Sequence, residues 1–486
     1  MDIAISRPAP SVLIARSLPF IAGLVAYVTG LIKWRGVIAE PDTYWHVAVG
    51  RWIIAHGTVP HRDMFSHTMH GAPWVPHEWL AEVVIGWTYG KLGWAGLVVA
   101  AALAFGAAIA LLVRALLRYV PPAYALVGAV GAWGLCMPHL YARPHVFTFP
   151  LLVLWGASLV AAREAGKAPS PWTAVIMLLW ANLHGGYMVG LGLAGLFAAE
   201  AVFEAPGARA AFRAARDWGL FGALSLLAAL ATPNGLSGLL LPFDLLRMHA
   251  IMSTIQEWRS PNFQEPQPLE AWLLLVLLGA LYVGVRLPIT RILMLLVLVH
   301  LALGHLRNGE IVGLIAPLIV APALGATLAH ARPWRGPFPR RQGFAGRCAP
   351  AVCAGGLVLA AAAAAIRIGI ADNATRFAPA AALAYVKDKG VSGPVFNDYA
   401  FGGYLIFVGI PTFIDGRADM FGDDFFRRQR DLAALPALLA KYHVTWTLLQ
   451  PQNPDVALLD HLPGWRRLYS DAIAVVHVRA DTMPRP

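Results

Sequence analysis

Charge is scarce in this chain. Asp, Glu, Lys and Arg make up 13% of its 486 residues, against roughly a quarter in ordinary soluble domains. Apolar residues reach 58%, and the mean hydropathy is +0.59. A soluble core of this size cannot hide that much apolar surface, so lipid is the expected solvent for most of the chain. Cysteine is almost missing: Cys136, Cys348 and Cys353 lie in or beside apolar segments. That excludes a disulfide framework, and no CxxC pair marks a thiolate metal site. The first apolar run, 17–32, lacks a clean cleavage site and reads as a retained helix, not a signal peptide. Internal repeats, low-complexity tracts and nucleic-acid motifs are also lacking. The formal net charge of +11 therefore points to membrane topology and not to nucleic acid, because the basic residues sit in short clusters between apolar segments. The abundance of Ala, Gly, Pro and Arg suggests a bacterial source with a GC-rich genome.

What is present is a succession of apolar segments. A helix needs about 20 apolar residues to cross a bilayer, and on that measure about eleven are expected: 12–32, 94–116, 123–140, 146–162, 171–184, 186–204, 218–232, 270–285, 290–306, 309–329 and 349–370. His184 and the Gly185-Gly186 pair favour two short helices within 171–204. With the N-terminus and Arg7 in the cytoplasm, each short inner loop carries basic residues: Arg114 and Arg118; Arg163 and Lys167; Arg209, Arg213 and Arg216; Arg286 and Arg291; then Arg332, Arg335, Arg340, Arg341 and Arg347. This is the positive-inside pattern. The expected architecture is a polytopic α-helical membrane protein in a bacterial inner membrane. It has a membrane domain (1–370) with a long first outer loop (33–80), and a periplasmic α/β domain (371–486). In that last segment, helices are expected at 377–389, 432–442 and 455–462, and strands at 394–397, 412–415, 445–449 and 472–478. Asn397-Asp398-Tyr399 and Asp415-Gly416-Arg417 fall at strand ends, where they suit either a ligand or a turn.

The outer face collects Asp42, Trp45, His46, His77, Glu78, Arg143, His145, His184, Glu257, Trp258, Arg259, His305 and Arg307 from at least six loops. Ionisable groups at a membrane face are costly and often functional, although outer loops also need polar and aromatic anchors. The first outer loop is the densest stretch. It runs Pro41-Asp42-Thr43-Tyr44-Trp45-His46, then Gly50-Arg51-Trp52, and closes with His77-Glu78-Trp79-Leu80. A short helix over 47–55 would lie on the membrane with Trp45 and Trp52 at headgroup depth. Asp42 stands at the water–lipid boundary. A carboxylate there can take a proton from an attacking hydroxyl or amide, or hold a divalent cation such as Mg or Mn against a phosphate. His46, one helical turn on, suits a second metal ligand, a proton acceptor, a phosphate donor or an interfacial hydrogen bond.

This layout resembles the GT-C superfamily of membrane glycosyltransferases, which includes oligosaccharyltransferase catalytic subunits, protein O-mannosyltransferases and lipid A aminoarabinose transferases. Those enzymes place an acidic residue in a long first outer loop just after the first helix, as Asp42 stands here. The run from Pro76-His77-Glu78-Trp79-Leu80 to Gly93 resembles their loop exit, and the nearer likeness is to bacterial membrane proteins sharing the Asp-x-Tyr-Trp-His and His-Glu-Trp-Leu loop. Two departures stand out: Thr43 follows Asp42 where an acidic pair would be, and the C-terminal segment has no sequon-reading Trp-Trp-Asp motif. The resemblance implies a polyprenyl-phosphate or polyprenyl-diphosphate sugar donor and an extracytoplasmic glycan, lipid or protein acceptor, with no nucleic-acid partner. It implies inversion by direct displacement, with Asp42 as the catalytic base. Arg307 and Arg143, flanked by His305 and His145, become candidates for the phosphate, because a guanidinium fork grips its oxygens bidentately; interfacial snorkelling is their other reading. The loop Glu257-Trp258-Arg259 would line the acceptor entrance, and Asn182 and His184 the cavity floor. Tyr44, Trp45, Arg51, His77, Glu78 and Trp79 complete the expected substrate-binding set. The competing functions are a transporter or flippase of lipid-linked glycans, and a non-catalytic membrane assembly protein.

Overall fold

The computed structural model describes residues 10–331, 344–369 and 378–481. Arg7 and the expected inner-loop residues Arg332, Arg335, Arg340 and Arg341 lie outside them. Helices dominate: α1 (Pro10–Ile32), α2 (Trp34–Ile38), α3 (Asp42–His56), α4 (Trp79–Leu116), α5 (Pro122–Cys136), α6 (Pro144–Glu164), α7 (Ala174–Leu183), α8 (Tyr187–Phe203), α9 (Ala208–Leu230), α10 (Gly235–Arg247), α11 (His249–Met252), α12 (Pro268–Val283), α13 (Ile289–Gly304), α14 (Gly309–Ala331) and α15 (Phe344–Gly369). Among the described residues, three helical stretches are long and apolar enough to cross a membrane: Trp79–Leu116, Pro144–Glu164 and Leu306–Ala329. A fourth arises if α9 and α10, bent by 95° at their junction, form one span. The remaining apolar stretches among the described residues, such as Ser17–Ile32, Tyr187–Phe203 and Ala354–Ala365, are shorter, so length and composition do not reproduce the expected count of about eleven.

The helices pack closely where the sequence supplies small residues, the usual means of bringing membrane helices together. A Cβ on Gly23 of α1 would lie 2.8 Å from the Gly106 carbonyl oxygen of α4. A Cβ on Gly50 of α3 would lie 1.8 Å from the Glu82 carbonyl oxygen, so α3 lies directly across α4. The helix of the first outer loop is longer than 47–55. It starts at Asp42 because the Glu40 carboxylate accepts hydrogen bonds from the free amides of Asp42 (2.9 Å) and Thr43 (3.3 Å). Gly93 has φ 62° and ψ −159°, a left-handed break only glycine adopts readily. It separates a loop-exit helix (79–92) from the membrane-crossing part (94–116). His184 and the glycines after it do interrupt 171–204, giving α7 and α8. Arg291, expected as a loop charge, is instead buried inside α13, where it bonds Glu200 at 3.1 Å and Glu164 at 2.5 Å.

The C-terminal part holds a four-stranded sheet: β1 (Val395–Asn397), β2 (Trp446–Leu449), β3 (Trp465–Ser470) and β4 (Val475–Arg479). The order is β1-β2-β4-β3, with β1 parallel to β2 and the other pairs antiparallel. Five helices accompany it: α16 (Ala380–Asp388), α17 (Tyr399–Phe407), α18 (Ala418–Gln429), α19 (Leu435–Lys441) and α20 (Pro454–His461). The segment 412–415, expected as a strand, is not one. Its backbone pairs instead with the first outer loop, with Thr412 N–H donating to the Phe65 carbonyl at 3.0 Å and His67 N–H to the Thr412 carbonyl at 2.9 Å. Strand β3 was not expected, because its Trp-Arg-Arg-Leu-Tyr-Ser run is largely exposed and lacks a buried alternation. Helix α17 was also missed. Its Gly402-Gly403 pair weakens helix propensity but lets the helix touch α3: a Cβ on Gly403 would lie 2.1 Å from the Pro41 carbonyl oxygen. Tyr44 meets Tyr404 and Phe407 edge-on at 5.1 and 5.6 Å, and Ile251 and Met252 of α11 enter a core with Phe396, Phe413 and Phe425. The sheet-bearing part is thus packed onto the first outer loop and the α10–α11 corner.

Candidate active site

The site is organised around one cation. Arg143 precedes α6, and its guanidinium reaches three carboxylates: Asp42 at 2.9 Å, Glu257 at 3.1 Å and Glu40 at 3.4 Å. These come from the start of α3, the loop before α12 and the segment before α3. Side-chain exposure is 13% for Asp42 and 19% for Arg143, which strengthens the pairing relative to open water. A second cation, Arg307, stands 3.9 Å from Glu257 Oε1, the same oxygen that Arg143 reaches. It is 3.3 Å from His184 Nε2 and stacks over the Trp258 ring at 4.8 Å.

This crowding sets the protonation of the outer carboxylates. Burial pushes the Asp42 carboxyl upward; Arg143 opposes it, while Glu257 and Asp415 add to the rise. Burial likewise raises Glu40 well above the carboxylate range, against the pull of Arg143. Glu257 goes the other way. Burial would raise it, but Arg143 and Arg307 together hold it down at about 2. Glu257 is therefore held as the anion of the cluster, while Asp42 and Glu40 are both displaced upward.

Two cavities meet at this cluster. One, about 720 Å³, is lined by Glu40, His139, Tyr141, Gln256, Arg259 and Asn262, and by Asp398, Tyr399 and Arg430 from the C-terminal part. The other, about 350 Å³, reaches between the helices past Phe149, Leu152, Leu241, Leu245 and Ile311. Asp42, Arg143 and Glu257 line both. Arg307, His77, Glu78, His145, His184, Trp45, Trp258 and His305 line the second.

Several expected residues lie elsewhere. Tyr44 is buried in the aromatic contact with α17 and Trp94. Arg51 is exposed on α3 and lines neither cavity. Trp79 and Asn182 bond each other, indole N–H to amide oxygen at 2.9 Å, and Asn182 also donates to the Ala231 carbonyl. That pair braces α4 against α7 and the α9–α10 bend instead of facing a substrate. Arg259 lines the first cavity, but its Nε donates to the Ser253 carbonyl at 2.7 Å and shapes its own loop. His305 Nδ1 donates to the Trp258 carbonyl at 2.6 Å. Sequence reasoning missed Glu40, Glu82 and Glu310. The last two are isolated acids within apolar helices, and that isolation was the available signal. Glu82 faces His46 Nδ1 at 3.4 Å, and Glu310 faces His145 Nε2 at 3.7 Å.

Asp42 and His46 were the expected metal ligands. They turn to different partners: Asp42 to Arg143, and the fully buried His46 to Glu82 at 3.4 Å and Glu78 at 3.8 Å. Among the described residues, no group of three or more His, Cys, Asp or Glu side chains is set to hold a metal ion.

The segment Asp415-Gly416-Arg417 serves the site as structure. Arg417 is 1% exposed. It grips Asp415 through Nε and Nη2 at 2.8 and 2.7 Å and Asp63 of the first outer loop through Nη1 at 2.6 Å. The guanidinium also lies over the Trp74 ring at 4.9 Å. This clasp presses Gly416 onto the candidate base: a Cβ there would fall 2.0 Å from Asp42 Oδ1 and 2.8 Å from Trp45 Nε1. Gly416→Ala is therefore expected to fold and yet displace the Asp42 carboxylate from Arg143. Carbodiimide labelling of Asp42, followed by mass spectrometry, should show a changed pH dependence in this variant and none in Gly134→Ala, whose added methyl meets nothing. Identical labelling curves would refute the contact.

No protein-family model matches the sequence, and no curated protein matches it. Solved structures do. ArnT from Cupriavidus metallidurans in the apo state matches with TM-score 0.51 and 14% identity, over 96% of this chain and 98% of that one. The Archaeoglobus fulgidus oligosaccharyltransferase in the apo form matches with TM-score 0.51 and 11% identity, over 88% of this chain and 69% of that one. ArnT bound to undecaprenyl phosphate matches at TM-score 0.49 and 15% identity. At these identities the likeness is one of fold: the chain shares the fold of the ArnT and oligosaccharyltransferase structures in the apo state.

Proposed function

We propose that this chain is a membrane glycosyltransferase that moves a sugar from a polyprenyl-phosphate or polyprenyl-diphosphate donor to an extracytoplasmic acceptor, with inversion at the sugar carbon. The observation that carries the reading is the position of Asp42, on the wall shared by two cavities of different character. The cavity between the helices has the apolar walls an isoprenoid needs and the Arg307 guanidinium a phosphate needs. The larger polar cavity suits the acceptor. An acceptor O–H or N–H gives its proton to the Asp42 carboxylate as its oxygen or nitrogen attacks the anomeric carbon. The bond from that carbon to the phosphate oxygen breaks, and the electron pair leaves on the phosphate beside Arg307. Arg143 and Glu257 hold Asp42 in line.

The same reading makes 1–370 the membrane domain, with about eleven crossings, and 371–486 a domain on the site's side. Helices α4 and α6 start at the site and end near Arg114, Arg118, Arg163 and Lys167. The positive-inside rule puts those ends in the cytoplasm and the site outside a bacterial inner membrane. The test is direct. Proteoliposomes holding the full chain receive a panel of polyprenyl-phosphate sugars and envelope extract as acceptor source, and free polyprenyl phosphate is measured. One donor should be consumed, and Arg307→Leu should slow its consumption. A panel consumed nowhere overturns the reading; a donor that crosses the bilayer unbroken would make the chain a transporter.

A further inference from the structure

A third cavity lies at the opposite end of the helices from the active site, roughly 30 Å away along the 21 residues of α6 at 1.5 Å each. Its volume is about 500 Å³, and it opens between the end of α4, the end of α6 and the segment leading to α7. Three cations line it: Arg114 and Arg118 from the end of α4, and Lys167 from the turn after α6. Among the described residues, no Asp or Glu lines it. Two neighbouring basic residues, by contrast, are paired: Arg163 with Glu200 and Glu204, and Arg291 with Glu164 and Glu200. Among the described residues Arg114, Arg118 and Lys167 form no such pair. Ser170 and Thr173 add hydroxyls. The rest of the wall is apolar and small, with Leu111, Val153, Leu154, Ala157, Ala161 and Ala165. A smooth alanine face below a cationic rim matches an acyl chain below a phosphate.

We propose that this cavity binds an anionic phospholipid, with its headgroup phosphate held by Arg114, Arg118 and Lys167 and one acyl chain lying along the alanine face of α6. A cluster of basic residues near the bilayer surface attracts anionic headgroups by about 1 kcal/mol per residue, and guanidinium groups add bidentate bonds to phosphate. A general loop charge would attract counter-ions without choosing a lipid. The apolar wall is what commits this site to a lipid and not to free phosphate.

The experiment uses the full chain purified in a neutral detergent. Phosphatidylglycerol, phosphatidylcholine and inorganic phosphate are titrated separately, and binding is read by native mass spectrometry and by the thermal unfolding midpoint. Phosphatidylglycerol should bind saturably and raise the midpoint, while phosphatidylcholine and inorganic phosphate should do neither. The triple variant Arg114→Gln, Arg118→Gln, Lys167→Gln should bind phosphatidylglycerol about a hundredfold more weakly. Because these side chains are exposed, the variant should fold. The variant Arg209→Gln, Arg213→Gln, Arg216→Gln, with the same change of charge on a neighbouring basic segment, should bind as the native chain does. Equal binding of phosphatidylcholine, equal stabilisation by inorganic phosphate, or equal loss in the two triple variants would each overturn the proposal. None of these outcomes depends on the transferase reading.

Discussion

Asp42→Asn is expected to lower sugar transfer by roughly 10²- to 10⁴-fold, the usual loss when a general base is removed. That corresponds to about 3–5 kcal/mol of transition-state stabilisation. The amide has the same shape as the carboxyl, and Arg143 keeps its other partners, Glu257 at 3.1 Å and Glu40 at 3.4 Å. The fold and the donor affinity should therefore survive, and the loss should appear in kcat and not in KM. The pH profile offers an independent reading. Burial raises the Asp42 carboxyl above its ordinary 3.8, so the base form is gained only as pH rises through that displaced value. The native enzyme should show an acidic limb above pH 3.8, with activity increasing toward neutral pH. In Arg143→Gln the limb should move further upward, because the opposing cation is gone. Initial rates on the donor that the proteoliposome panel selects provide the measure. An Asp42→Asn protein that is folded and keeps more than about a third of its activity, far outside the range for a general base, would remove Asp42 from the chemistry.

Arg417→Met should cost about 3–5 kcal/mol of stability, as is usual when one partner leaves a buried ion pair. Arg417, Asp63 and Asp415 are all 2% exposed or less, so the two carboxylates would face each other without a cation. The same change removes the buried ion pair that joins the first outer loop to the C-terminal part across 354 residues, leaving the backbone bonds between Thr412 and Phe65 and His67 in place. Thermal unfolding in detergent, compared with the triple variant Arg417→Met, Asp63→Asn, Asp415→Asn, separates charge from shape. Neutralising all three should recover part of the loss. If Arg417→Met alone stays within about 1 kcal/mol of the native chain, less than the cost of an unpaired buried charge, the clasp is not what fixes the loop.

These two predictions differ in how far the sequence led to them. The place of Asp42 at the cavities was legible, because an acid just after an apolar segment and among Trp and His residues is chemically conspicuous. So was the break at His184-Gly185-Gly186, since polar residue and paired glycines interrupt an apolar run. Glu40 was not legible. It reads as an ordinary loop acid, and only the folded chain turns it onto the free amides of α3 and toward Arg143. Arg51 and Asn182 misled in the opposite sense: they occur beside the right residues in sequence but point to solvent and to a helix brace. Gly416 looked like a turn residue, and its contact with Asp42 spans most of the chain.

Composition and periodicity by themselves determined that lipid is the main solvent, that the polar chemistry gathers at one end of the helices, and that a small α/β part follows, because each depends on residues near one another in sequence. The tertiary structure decided which acid faces which cation, that 412–415 pairs with the first outer loop instead of the sheet, and that two cavities share one carboxylate. Those outcomes come from contacts between segments up to hundreds of residues apart. There, burial and charge act through distance in space, which local sequence pattern does not encode.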